Sequence, residues 1–328
     1  MANPFIADPD YFDRKVRGMW ITGQGRAFHT HGDQGGLQGV WNAMGQVAGI
    51  WDAPVQTTWK QGAFEEGSKP KAVKRLHRDM TLGFHIIDTP GSGAEENESD
   101  FRSVFDYLPD EWDDEPEPTT LHVDTDQSGV RRLDLLMHAE PELDAVIDPV
   151  QQQYFNLIMR VRAARPDWYE LDPDTGREYR SVFESSSTNA QGFIEVENPT
   201  DRPMLHKWVL TRATWRIPDF SWKGGRGNRR PAGQFGNRMI SLKPITAVQG
   251  GIVISLDKQH DLPVRDHNYT NALPALLPNG QHFMHVIPPY TPKTRLPIEY
   301  IDAPAGGARA ELVQPRRWSR PWGLELRR

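Results

Sequence analysis

Residues 192–211 read GFIEVENPTDRPMLHKWVLT and residues 251–264 read GIVISLDKQHDLPV, and these two stretches decide the fold class. In the first, Phe193 and Glu195 alternate with Ile194 and Val196. Asn198-Pro199-Thr200-Asp201 then supplies turn chemistry before the apolar Trp208, Val209 and Leu210. A period of two bounded by Asn, Pro and Asp predicts a strand, a turn and a returning strand. In the second, Ile252 and Ile254 share one face, Val253 and Ser255 the other, and a polar turn after Leu256-Asp257 leads to Val264. Further on, Leu277-Pro278-Asn279-Gly280 predicts a tight turn with Gly280 at positive φ, delivering the chain into a last strand at Phe283–Ile287. Short strands punctuated by Gly, Pro and Asn, with no helical period, predict a β-sandwich.

Toward the N-terminus the pattern is mixed. A strand and a loop are expected over Arg17–Phe28, a strand over Ile50–Trp59, a loop at Glu65–Pro70, and a long strand over Arg75–Asp88, where Leu82, Phe84 and Ile86 alternate with Gly83, His85 and Ile87. Asn97–Leu108 (NESDFRSVFDYL) predicts a helix. Phe101, Val104, Phe105 and Leu108 fall at i, i+3, i+4 and i+7, Asn97 or Ser99 is placed to cap, Glu98 and Asp100 suit the positive end of the dipole, and Pro109 stops it. Strands resume at Thr119–Thr125, Arg131–Met137 and Tyr154–Val161, and the turn-rich run Asp172-Pro173-Asp174-Thr175-Gly176 marks a junction between Pro166 and Arg180. The fold class is therefore α+β and mainly β: a β-rich N-terminal domain with one inserted helix, residues 1–174, then a β-sandwich, residues 175–328.

Composition narrows the function classes. The 328 residues carry a formal net charge of −6, which argues against a general nucleic-acid binder. There is no cysteine, hence no disulfide framework and no thiolate metal site. The first 17 residues include Asp8, Asp10 and Asp13 without an apolar run, so neither a signal peptide nor a membrane span is expected there. The 28 glycines, 27 prolines and 10% aromatic residues fit many turns between short aromatic-rich strands.

Several local patterns carry chemistry in other proteins. Gly23-Gln24-Gly25 lacks the third glycine and the helix of a dinucleotide loop. His29 and His31, with Asp33 close by, have the spacing of two metal ligands on one strand face, but the glycines at 32, 35 and 36 mark the segment as a surface loop. Ser181 and Ser185 to Ser187 sit in a strand-like run rather than on a nucleophile elbow. Lys223, Arg226, Arg229 and Arg230 among the glycines of residues 222–236 could grip phosphates or single-stranded RNA, and read more simply as a charged loop between strands. No catalytic constellation, cofactor site or metal site emerges, and an enzyme is not expected.

The order of motifs across the second half resembles the galectin-like C-terminal sandwich of distal tail proteins from long-tailed phages. The residues that carry the resemblance are GFIEVENPTDRP at 192–203, the strand end Leu256-Asp257, Val264, and Leu277-Pro278-Asn279-Gly280 leading to Phe283. The closing RRWSRPWGL at 316–324 is similar to the end of many minor tail proteins of phages of actinobacteria. The strands, long strand and single helix of the first half resemble the ring-forming belt of the same family.

That resemblance implies a structural virion protein of the tail tip, assembled in the host cytoplasm. It implies a hexameric ring hub joining the tail tube to the baseplate, with the tail tube protein, the tail-tip hub protein and the tape measure protein as partners and receptor-binding proteins as further candidates. A carbohydrate-binding module for a host-surface glycan is the alternative. Charge then suggests where a ring would close: the acidic run Asp110, Glu111, Asp113, Asp114, Glu115 and Glu117 against the basic Arg160 and Arg162, both in the first domain. An EF-hand use of the acidic run is excluded, since it lacks the central glycine and alternating ligands.

Overall fold

The structure, a computed structural model, describes residues 15–64, 66–145, 147–259, 262–273, 277 and 281–326. The chain forms two compact units: one runs to Trp168 and takes in Ser319–Gly323, and the other holds Tyr169–Trp318 and continues from Leu324.

In the first unit the chain forms β1 (Gly18–Gly23), β2 (Arg26–His31), β3 (Val40–Ala48), β4 (Val55–Lys60), β5 (Lys69–Arg75) and β6 (Arg78–Ile87), then α1 (Ala94–Arg102), β7 (Thr119–Thr125), β8 (Gly129–Met137) and β9 (Glu142–Leu143). A short α2 (Pro149–Gln152) precedes β10 (Tyr154–Ala163), and β11 (Trp168–Glu170) leads into the second unit. The main antiparallel path runs β2-β1-β7-β8-β10-β6-β3, with β9 on β10. Its two halves join through a short register between β8 and β10, Val161 opposite Met137 and Arg162 opposite Leu136. The sheet rolls at that join, so the end strands β2 and β3 come into contact.

Alternation explains which face closes inward. Met19 and Ile21 of β1, Leu121 and Val123 of β7, Leu82, Phe84 and Ile86 of β6, and Phe155, Leu157, Met159 and Val161 of β10 are all buried, as the period of two predicts.

Helix α1 packs on β6 and β10, but not with the bounds expected. It begins at Ala94, three residues before Asn97, behind Gly93 as N-cap, and its first turn carries Glu95 and Glu96 rather than Glu98 and Asp100. Asn97 is not a cap: its side chain is buried and donates to the Ile87 carbonyl at 2.8 Å, tying the helix to β6. The helix ends at Arg102, and Val104 and Phe105 continue in tighter turns with N–H donation to Phe101 and Arg102. The apolar stripe survives because Phe101, Val104 and Phe105 remain buried, whereas Leu108 is 75% exposed. Phe101 meets Phe28 of β2 at 5.2 Å, Phe84 of β6 at 4.7 Å and Phe105 at 5.2 Å, each edge-on. One ring thus fills the space between the two halves of the rolled sheet.

Residues 319–323, the SRPWG of the closing motif, are built into this unit. The Arg78 guanidinium, 1% exposed, donates to the carbonyls of Pro166 at 2.9 Å, Gly49 at 3.0 Å, Asp52 at 3.1 Å and Ser319 at 2.9 Å. Arg131 donates to the carbonyls of Arg320 and Gly323, both at 3.0 Å. Asp52 pairs with Arg320 at 2.6 and 2.9 Å, and Trp51 meets Trp322 edge-on at 4.5 Å. Burial pulls the Arg78 pKa down to about 10, which leaves it cationic at neutral pH.

The second unit comprises β12 (Tyr179–Ser185), β13 (Ala190–Asn198), β14 (Lys207–Leu210), β15 (Thr214–Pro218), the short β16 (Trp222–Lys223), β17 (Arg230–Pro231) and β18 (Met239–Ser241), then β19 (Ile252–Ser255), β20 (Val264–Asp266), β21 (Thr291–Ile301), β22 (Ala308–Gln314) and β23 (Arg316–Trp318). One sheet has the order β12-β22-β14-β19-β20 and the other β13-β21-β15-β18. Their facing residues, among them Ile194, Trp215 and Ile298 from one sheet and Trp208, Ile254 and Leu312 from the other, form a single core. This is a β-sandwich.

Two expectations are corrected here. The strand at 193–196 and the one at 208–210 do not form a hairpin: β13 pairs with β21, β14 with β19 and β22, and the segment between them crosses from one sheet to the other. The crossing is organised by Asn198, fully buried, whose amide donates to the carbonyls of Arg202 at 2.8 Å and Pro288 at 2.9 Å while its oxygen accepts from the Thr200 hydroxyl at 2.8 Å. An Asx turn therefore replaces the expected hairpin turn.

Residues 283–286 are not a strand, and Ile287 makes only an isolated bridge to Met204. The buried Asp219 carboxylate accepts from the backbone N–H groups of Met284 and His285, both at 3.0 Å, and pairs with Arg238. A side chain thus satisfies donors that a sheet would otherwise take. The long strands that close the sandwich are β21 and β22. Of the turn expected at 277–280, Pro278, Asn279 and Gly280 lie outside the described residues, as do most of residues 1–17. Among the described residues no helix is long and apolar enough to cross a membrane.

Two substitutions test this packing. Phe101→Ala is expected to cost about 3–5 kcal/mol in chemical denaturation, and a loss under about 1 kcal/mol would show that the ring is not the filler of the rolled sheet. Arg78→Met leaves buried carbonyls without a donor and is expected to cost about 3–5 kcal/mol as well, whereas Arg162→Met, which removes an exposed ion pair, should stay within about 1 kcal/mol.

Candidate assembly surfaces

The expected charge partners lie in the first unit, and within one copy the structure does not bring them together. Arg160 and Arg162 share the outer face of β10, but Arg160 already bonds Glu142 at 2.8 Å and Arg162 holds Asp79 through two bonds of 2.6 and 2.9 Å. The Arg162 hydrogen bond holds the Asp79 carboxyl below its usual range.

The acidic run is a fully exposed loop that folds on itself. Asp110 accepts from the N–H of Trp112 at 2.9 Å and Asp113 from that of Glu115 at 3.0 Å, both Asx turns. Glu117 accepts from the Gly25 N–H at 2.7 Å, pinning the end of the loop to the β1–β2 turn. Glu111 and Asp114 are exposed beside Trp112, which is itself 91% exposed. Next to the loop, Gln24, Arg26, Ser103, Asp106, Leu108 and Asp110 line an open basin of about 580 Å³.

A second surface escaped the sequence reading. β4 and β5 form an antiparallel ribbon in which every residue of both strands is exposed, so neither face packs on the unit. The strand expected from Ile50 begins only at Val55, and the loop expected at Glu65–Pro70 passes into β5 at Lys69; Glu65 lies outside the described residues. The ribbon carries Lys60, Lys71 and Lys74 beside Val55, Trp59 and Val73, and Phe64 near its tip is wholly exposed. Lysines and a proline in KPKAVKR hide β5 from a search for buried strands. Its partner β4 is legible from Val55, Thr57 and Trp59, which fall within the strand expected over Ile50–Trp59.

The remaining candidates have structural uses. His29-Thr30-His31 lies in β2, not in a loop. His29 stacks on Trp20 at 5.8 Å, and a ring nitrogen of His31 sits 2.9 Å from the Arg17 carbonyl. Among the described residues no cluster of three His, Asp or Glu side chains could hold a metal ion. In the basic glycine loop, β16 pairs with β17, Arg226 lies over the Tyr290 ring at 5.1 Å, and Arg229 donates to the Gly224 carbonyl at 2.6 Å.

No protein-family model matches the chain. It is 24% identical over 331 residues to the minor tail protein Gp27 of Mycobacterium phage D29, which covers 88% of this chain and 94% of that protein. Identity is also 24%, over 336 residues and with the same coverage, to the minor tail protein Gp27 of Mycobacterium phage L5. In fold it matches the crystal structure of the Dit protein (gp 19.1) of phage SPP1, described as a paradigm of the hub adsorption apparatus in phages that infect Gram-positive bacteria. The TM-score is 0.51 at 8% sequence identity, covering 91% of this chain and 98% of that one. The fold is Dit-like. The minor-tail-protein likeness, over 88% of the chain, runs through both units.

Among the described residues, each unit contains one buried histidine that is neutral at pH 7. His122 is stacked on Trp20 at 4.8 Å with a ring nitrogen 2.9 Å from the Thr22 hydroxyl, and burial first, then Arg132 and His29, holds its pKa down to about 4. Burial likewise holds His206 down to about 4. Against a value of 6.5 outside the fold, the unfolded chain binds the extra protons between these limits. Stability is thus complete above about pH 6.5 and is lost as pH falls toward 4, by roughly 2–3 kcal/mol per histidine. Urea midpoints at pH 7 and pH 4.5 should show this drop, and His122→Gln should reduce it.

Proposed function

We propose that this chain is a structural protein of a phage tail tip. It forms a hexameric ring hub between the tail tube and the baseplate, contacting the tail tube protein, the tail-tip hub protein, the tape measure protein and receptor-binding proteins. The observation that carries the reading is that sequence likeness to minor tail proteins extends over 88% of the chain, together with a Dit-like fold over 91% of it. Likeness to a single grafted module would stop at one unit.

The first unit, residues 1–174 in the sequence-based division, is assigned the ring contacts. The β4–β5 ribbon supports this, because an isolated two-stranded ribbon is marginal in water and one exposed on both faces gains stability when another surface covers it. The sandwich is assigned a peripheral, galectin-like role. A sugar-binding activity rests on fold class alone, which does not carry function.

Light scattering of the full-length chain, combined with mass spectrometry of purified virions, tests the reading. A sixfold protomer mass and chain-derived peptides in the virion are expected. A monomer at every concentration, with no such peptides in particles, would overturn it.

A further inference from the structure

We propose that the β4–β5 ribbon of one copy docks on the acidic loop of a second copy, residues 110–117 with the basin beside it, and that this contact is how neighbouring copies meet. The proposal rests on the ring reading above and specifies its interface.

The two surfaces are complementary in charge and in apolar character. On the ribbon, exposed Lys60, Lys71 and Lys74 stand beside Val55, Trp59 and Val73, and Phe64 is 104% exposed near the tip. On the loop, six carboxylates surround Trp112, 91% exposed, with Leu108 at 75%. Large side chains are as open at Met44 and Val248, but their clustering beside like charges on these two small surfaces marks contact sites. The basin beside the loop suits a lysine or an aromatic ring, since Asp106, Asp110 and Leu108 line it and its one cation, Arg26, is engaged by Asp100 at 2.5 Å.

Arg160 and Arg162 are poor candidates for the same role, because Glu142 and Asp79 already engage them. Within one copy, β4 and β5 make their extensive contacts with each other. The occupant favoured here is therefore a copy of the same chain. Every copy carries one basic and one acidic surface, and joining unlike surfaces head to tail is what generates a ring. A net charge of −6 makes copies repel at long range, so local charge matching would also set orientation and register.

The test uses full-length chain in sedimentation velocity. The ribbon variant is Lys60→Glu, Lys71→Glu, Lys74→Glu; the loop variant is Asp113→Lys, Asp114→Lys, Glu115→Lys. All six positions are exposed, so unchanged unfolding midpoints are the control for folding. Wild type should assemble, and each variant alone should associate at least ~10-fold more weakly through like-charge contact. An equimolar mixture of the two should recover assembly, because the ribbon of each then meets the loop of the other.

Variants that assemble like wild type, or a mixture that stays dissociated, would overturn the docking and leave the ring reading intact. A wild type that never assembles would overturn both. The chain has no cysteine, so a copy carrying only Phe64→Cys can be mixed with one carrying only Leu108→Cys and treated with a short bis-maleimide. A cross-linked heterodimer in excess of either homodimer is expected, and its absence counts against the proposal.

Discussion

The Arg78 guanidinium holds the first unit together at a point where no secondary structure does. Four backbone carbonyls, from Gly49, Asp52, Pro166 and Ser319, converge on one buried cation. Each belongs to a segment outside the regular strands. The Ser319 carbonyl also accepts from the Ala53 N–H at 3.1 Å, but without Arg78 the other three would be desolvated acceptors. The planar fork of arginine, with five N–H donors, can serve all four at once, whereas a lysine ammonium has only three donors. Arg131 repeats the device with Arg320 and Gly323. Together they build SRPWG, 319–323, into the unit, so a segment almost at the C-terminus completes the N-terminal fold.

The same logic recurs in the second unit with carboxylate and amide groups. Asn198 and Asp219 are both buried and both bond to backbone: Asn198 to carbonyls around 202 and 288, Asp219 to amides at 284 and 285. Each converts a stretch that lacks a sheet partner into ordered structure. This is why the motif GFIEVENPTDRP has a physical role as well as a family resemblance. Its Asn198 turns the chain from one sheet into the other, and its Pro199 and Pro203 sit where ladder hydrogen bonds are not required.

Assembly draws on a different part of the molecule. The interiors of the two units are closed by aromatic and aliphatic packing, with Phe101 filling one core and Trp208 and Trp215 lying in the other. The ribbon and the acidic loop contribute little to either core. Their exposed Trp59, Phe64 and Trp112 are hard to explain by the stability of one copy and easy to explain by contact with another, which separates the residues that fold the chain from those through which it would associate.

By itself, the sequence determined the class of fold and most of its strands. The period of two in Tyr154–Val161, Leu82–Ile86 and Ile252–Ser255 is set by the pleat of a strand with one buried face, so it is written locally and can be read locally. The apolar stripe Phe101, Val104, Phe105 was legible for the same reason, although the bounds of its helix were not. What only the tertiary structure decided is pairing and partnership. β13 and β14 are neighbours in sequence yet lie in different sheets. β21 (Thr291–Ile301) was hidden by Pro292 and Pro297, and residues 283–286 gave up a strand to a carboxylate at position 219. Arg160 and Arg162 look available in the sequence and are engaged in the fold, while the ribbon looks unremarkable in the sequence and stands exposed. These outcomes depend on which groups meet across tens to hundreds of residues. No local pattern encodes them, because a hydrogen bond or an ion pair is satisfied by whichever partner the folded chain brings near.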